Sequence, residues 1–127
     1  MPAATTLQRF VARVESNAHV EAIEEFYAED ASMRENMHPP RTGRDSLVAN
    51  ERAALARARS VHSRCVRPVL VDGDVVVVRW IFRFEGHDGR VRELEELAYQ
   101  RWHGERIVEE QFFYDPAQFA WRGPSPD

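Results

Sequence analysis

The sequence predicts an α+β fold: helices in the first half of the chain and a curved antiparallel sheet in the second. Three observations predict it. Apolar residues recur at helical spacing as far as Ala58. Between Val61 and Tyr114 the chain changes to β-prone runs rich in Val, Phe, Trp and Tyr. Short Gly- and Asp-containing turns part those runs. Helices and strands that occupy separate halves of a chain pack as two layers, helices segregated to one face of the sheet.

The elements follow in order. Leu7, Phe10, Val11 and Val14 form the stripe of a first helix, with Thr5 or Thr6 as its cap. "SNAH" interrupts the pattern. Val20, Ile23, Phe26 and Tyr27 mark a second helix that ends near Asp30. Ala31 to Met37 reads as extended chain, closed by Pro39 and Pro40. "TGRDSLVANERAALARA" starts a third helix, capped by Thr42 or Asp45, with Leu47, Val48, Ala54 and Leu55 on its apolar face. Four strands come next: Val61–Val71, Val75–Glu85, Glu93–Trp102 and Arg106–Tyr114. Asp72-Gly73-Asp74, "GHDGR" and "HGE" connect them. The closing "WRGPSPD" reads as a frayed tail.

Alternation sorts the strand residues onto two faces. Val78, Trp80, Phe82 and Phe84 share one face. Leu94, Glu96, Ala98, Gln100 and Trp102 alternate with Glu93, Glu95, Leu97, Tyr99 and Arg101. On the last strand Val108, Glu110, Phe112 and Tyr114 alternate with Glu109, Gln111 and Phe113. Apolar residues fall on both faces, so the face without helices is expected to be covered by a second copy of the chain, in a homodimer.

Composition narrows the function classes. The 127 residues suit one domain and are 43% hydrophobic, 10% aromatic and 30% charged. Seventeen basic against 21 acidic residues give a net charge of -4, with the arginines interleaved among acids. No basic face is offered to nucleic acid. A single cysteine, Cys65, allows no internal disulfide, and no apolar run is long enough to span a membrane. A cytoplasmic protein is expected. No H-x-x-x-H, CxxC or Gly-rich phosphate loop occurs, so neither a metal nor a cofactor is expected.

The phrases "AIEEFYAEDASM", "PPRTGRDSLVAN" and "GERIVEEQFFYDPAQF" resemble the nuclear transport factor two-like superfamily. That group includes SnoaL-like polyketide cyclases and ketosteroid isomerase. The likeness runs from about residue 7 to 119. It implies a cone-shaped sheet with three helices on its concave face, in one domain over residues 1–127 with a frayed tail at 120–127. Aligned with the isomerase phrase similar to "YAEDASMRE", Glu35 takes the place of the general base. Phe10 stands where that enzyme has its oxyanion tyrosine, and Ala98 where it has its protonated aspartate. A true ketosteroid isomerase is therefore not expected.

Glu35 leads the candidate catalytic residues, between Met33 and Met37 and beside His38. Enclosed in an apolar cavity mouth it would have a raised pKa and serve as an acid or base; on a solvated edge it would not. His38 is a candidate proton shuttle and Tyr27 a candidate donor. Glu96 and Glu110 share the face of Ala98, Trp80 and Tyr114, which the resemblance turns toward the cavity. Met33, Met37, Trp80, Phe82, Glu96, Ala98, Glu110, Phe112 and Tyr114 form the expected ligand-binding set, and Tyr114 is a second hydroxyl that could serve a ligand. Two functions follow. One is cofactor-free isomerisation, cyclisation or dehydration of a small oxygenated hydrophobic molecule. The other is a non-catalytic domain of the same fold that binds a small ligand or dimerises.

Overall fold

The computed structural model describes residues 1–123. Helices α1 (Ala4–Glu15) and α2 (His19–Phe26) lead into strands β1 (Tyr27–Glu35) and β2 (Arg41–Thr42). Helix α3 (Arg44–Ala56) follows, and then the meander β3 (Ser60–Asp72), β4 (Val75–Glu85), β5 (Val91–His103) and β6 (Arg106–Phe113). One turn of 3-10 helix, Pro116–Phe119, comes after β6. The six strands form a single curled, unclosed sheet in the order β2-β1-β6-β5-β4-β3. The fold is α+β, as the residue pattern predicts. All neighbouring strands are antiparallel except β1 and β6, which run parallel.

Local chemistry explains where elements begin and end. Gly73 (φ 60) opens a two-residue turn between Asp72 and Val75, a geometry that a side chain would strain. The apolar stripe of α2 runs on into Tyr27, yet the helix stops at Phe26 rather than near Asp30. Tyr27 is already extended (φ -99, ψ 141) because it pairs with Ile107 in the sheet. Neither Thr5 nor Thr6 caps α1. It starts at Ala4, and the Ala3 N–H is bonded instead by the Glu105 carboxylate at 3.1 and 3.2 Å. Gly43, rather than Thr42 or Asp45, precedes α3, and no side chain caps it.

Alternation places the inner face correctly on β4 and β5, where Val76, Val78, Trp80, Leu94, Ala98, Gln100 and Trp102 are buried. On β6 it fails at one residue. Gln100 pairs with Glu110 and Arg101 with Glu109, but Trp102 pairs with Ile107. Val108 is the extra residue of a bulge, so Ile107 turns inward beside Trp102 and Val108 leaves that face.

The helices lay their apolar stripes on this face. Phe10 is central, with its ring 5.4 Å from Phe26, 5.8 Å from Trp102 and 6.4 Å from both Tyr27 and Trp80. The tail is held further than predicted: Val91 and Arg122 exchange backbone hydrogen bonds of 2.7 and 2.6 Å. Residues 124–127 of the expected frayed segment lie outside the described residues. Among the described residues no helix is long and apolar enough to cross a membrane.

Candidate functional site

Between the helices and the inner face of the sheet lies a cavity of about 840 Å³. Its inner end is polar although its walls are apolar. Glu110 on β6 is 3% exposed and accepts hydrogen bonds from the Tyr27 hydroxyl and from Gln100 Nε2 (2.6 Å). Trp102 Nε1 donates to Gln100 Oε1 at 3.0 Å. One buried carboxyl thus orders a tyrosine, an amide and an indole in a continuous network. Burial pushes the Glu110 pKa up to about 7, against the opposing effect of its two donors. Tyr27 is raised well above the ordinary phenol range by its own burial and by the neighbouring Glu110 charge.

Glu96 faces the cavity from β5, opposite Trp80. Burial first, then the charges of Glu110, Glu35 and Glu51, push its pKa up to about 8. It is a carboxyl held protonated at neutral pH. The register also limits how Glu96 and Glu110 cooperate. Glu110 pairs with Gln100, four residues along β5 from Glu96, or roughly 13 Å of strand. They interact through charge and do not share a proton across a short bond.

Glu35 is the last residue of β1, in register with Phe112. It lines the cavity but is exposed, because the chain turns away at Asn36 (φ 49). The enclosed position considered for Glu35 is therefore corrected to a rim. Tyr114 stands next to it, its hydroxyl pushed upward by burial and by the Glu35 charge. His38 is exposed at the same rim, its backbone N–H bonded to the Glu35 carbonyl at 3.0 Å.

The helices add groups that reading the sequence passed over. His19, 8% exposed, has Nε2 2.7 Å from Ser63 Oγ and Nδ1 3.2 Å from Glu51 Oε1. Its ring edge meets Phe82 at 5.3 Å. His19 and Glu51 line the cavity, whereas Ser63 lies buried on β3 behind them. Ser63 orients the imidazole and is not presented as a nucleophile. A signal existed: His19, Ala22, Ile23 and Phe26 share helical spacing, so His19 belongs to the buried stripe of α2. Among the described residues no group of three or more His, Cys, Asp or Glu is arranged to hold a metal ion.

The family model for SnoaL-like domains matches residues 7–110, most of the chain. The chain belongs to the SnoaL-like domain family. No curated protein matches its sequence. Solved structures similar to this SnoaL-like domain share its fold at low identity. One is a Mesorhizobium loti protein proposed to be a SnoaL-like polyketide cyclase. It has 19% identity and a TM-score of 0.73, over 87% of this chain and 97% of that one. A Catenulispora acidiphila protein with a ketosteroid isomerase-like fold, in complex with trimethylamine, has 17% identity and a TM-score of 0.75, over 91% and 89%. IdmH of Streptomyces antibioticus, proposed to be a polyketide cyclase, has 22% identity and a TM-score of 0.72, over 91% and 93%.

Within the SnoaL-like domain the cavity brings together Tyr27, Met33, Glu35, His38, Trp80, Phe82, Glu96, Glu110, Phe112 and Tyr114. Two expected residues are not part of it. Met37 is 70% exposed, its sulfur 3.7 Å from the Arg34 guanidinium, because it follows the turn at Asn36. Ala98 is fully buried under the cavity wall, where it fills the core.

Proposed function

We propose that this SnoaL-like domain catalyses cofactor-free proton transfer on a small, oxygenated, hydrophobic molecule. Isomerisation, aldol cyclisation and dehydration are the reactions within its reach. The observation that carries the reading is Glu96, a carboxyl kept neutral near pH 7, which opens onto the same cavity as Glu35 and Tyr114. Glu35 takes a proton from the carbon next to a substrate carbonyl. Glu96 gives its proton to the carbonyl oxygen, and an enol results. Return of the proton to a different carbon is isomerisation, and attack of the enol carbon on a second carbonyl closes a ring. The Glu110 network holds Tyr27 and Gln100 at the inner end and keeps charge near Glu96, which favours its neutral form.

Deuterium exchange tests this. A panel of hydrophobic ketones incubated with the protein in heavy water is expected to exchange α-protons faster than in buffer, by NMR. Glu35→Gln and Glu96→Gln are each expected to lower that rate by about 10²-fold or more. No acceleration across the panel would leave ligand binding without chemistry as the function of the fold.

The outer sheet face supports a homodimer as part of the same proposal. Leu97 pairs with Phe113 and Tyr99 with Val77, and Leu97, Phe113 and Tyr99 are 45%, 39% and 48% exposed. Contiguous apolar surface of this kind is uncommon on monomers. Sedimentation is expected to give a dimer for the native chain and a folded monomer for Leu97→Glu. A native monomer would rule the dimer out.

A further inference from the structure

At the end of β5 away from Gln100, one arginine has more aromatic surface than hydrogen-bond acceptors. Arg92 lies on the inner face, opposite Phe84, and lines the cavity. Its guanidinium stacks over Trp121 at 4.4 Å, Phe119 at 5.1 Å and Phe84 at 5.2 Å. Ring faces attract the cation, but they leave its in-plane N–H groups unsatisfied. Nη1 makes one long bond, 3.4 Å, to the Phe119 carbonyl, and the buried Nε has no partner among the described residues.

Among the described residues it is in no salt bridge, and the acids Glu85, Asp88 and Glu95 are held by other arginines, Arg59, Arg90 and Arg79. A second cation adds to the imbalance. Arg57, at the end of α3, lines the same cavity and disfavours the charge on Arg92. Two guanidinium groups line one cavity and neither is in an ion pair among the described residues, an arrangement that an anion in the cavity would complete.

We propose that Arg92 and Arg57 form a carboxylate subsite, so that the molecule taken into this cavity is an elongated hydrophobic acid. Its carboxylate sits against Arg92, and its oxygenated body extends along β5 toward Glu96, four residues and roughly 13 Å of strand away. The inference rests on the proposed proton-transfer reading and deepens it by naming the substrate class.

Calorimetry with decanoate and decanol as probes tests it, because the two differ only in the head group. The native chain is expected to bind decanoate about tenfold or more tighter than decanol. Arg92→Gln is expected to abolish that preference, leaving decanoate bound no tighter than decanol. Arg57→Gln, at an exposed residue, is expected to reduce the preference about two- to fivefold. Equal affinities in the native chain, or a preference that survives both substitutions, would overturn the subsite and leave Arg92 as a stacking pin for the C-terminal segment. Binding of neither probe would overturn it as well, by removing the ligand cavity. Failure of the proton-transfer reading is read separately: ketone exchange is then absent while the Arg92-dependent preference remains.

Discussion

Phe10→Ala is expected to lower the unfolding free energy by about 3–5 kcal/mol, the range for emptying a buried aromatic site. Phe10 is 2% exposed and touches rings from α2, β1, β4 and β5, so its loss leaves a void that no single neighbour can fill. Urea unfolding followed by tryptophan fluorescence measures the loss, since Trp80 and Trp102 both face Phe10. A loss below about 1 kcal/mol would mean that the helices and sheet collapse around the site, contrary to the packing described. Phe10→Leu is expected to recover a large part of the loss, because it restores most of the volume.

The second large effect is a fall in stability as the solution becomes alkaline. Glu96 and Glu110 titrate near 8 and 7 in the folded protein, against 4.5 for a free glutamate. Between those values the native state keeps protons that the unfolded chain has released. Each group therefore contributes stability below about pH 4.5 that is lost as pH rises through its folded pKa. The slope is up to about 1.4 kcal/mol per pH unit for each group, with both acting to about pH 7 and Glu96 alone to about pH 8. Glu15, held below the usual carboxylate range by Arg67, acts in the opposite sense, but only where the solution is more acid than about 4.5. Melting temperatures are thus expected to fall between about pH 5 and pH 8.5. Glu96→Gln is expected to flatten the upper part of that range, since an amide neither gains nor loses the proton. A flat profile in the native chain would show both carboxyls to be solvated.

The α+β layering was legible in the residues because it depends on repeated signals. A helical stripe or an alternating strand states its buried face several times over, so one ambiguous residue does little harm. Features that rest on a single residue were harder to read. The bulge at Val108 leaves no mark in a run as β-prone as "RIVEEQFF", yet it decides whether Ile107 or Val108 meets Trp102. Tyr27 looks like the next turn of α2, and only its long-range pairing with Ile107 makes it a strand residue.

The candidate site was read in part for the same reason. Glu96 and Glu110 follow from alternation, which runs unbroken from Leu94 to Gln100 and from Glu110 to Phe112. Alternation also points inward at Arg92, two residues before Leu94, and helical spacing points inward at His19. Arg92 was passed over because the predicted strand begins at Glu93, and His19 because it falls in "SNAH", read as the break before the second helix. Whether Glu35 was enclosed or at a rim depended on how sharply Asn36 turns the chain, which no local pattern encodes.

The parallel contact between β1 and β6 bears on the order in which the molecule acquires its chemistry. The Tyr27–Glu110 bond joins residues 83 positions apart. Contacts of such separation require a long loop to close before they return any stabilisation. The hairpins of the meander form from near neighbours, but the inner end of the cavity has no wall until β1 docks on β6. A chain emerging during synthesis cannot place the hydroxyl against the carboxyl until residue 110 is free to pair. The polar network is thus a marker of completion: a partly folded molecule can hold most of its sheet and still have nothing that resembles a site.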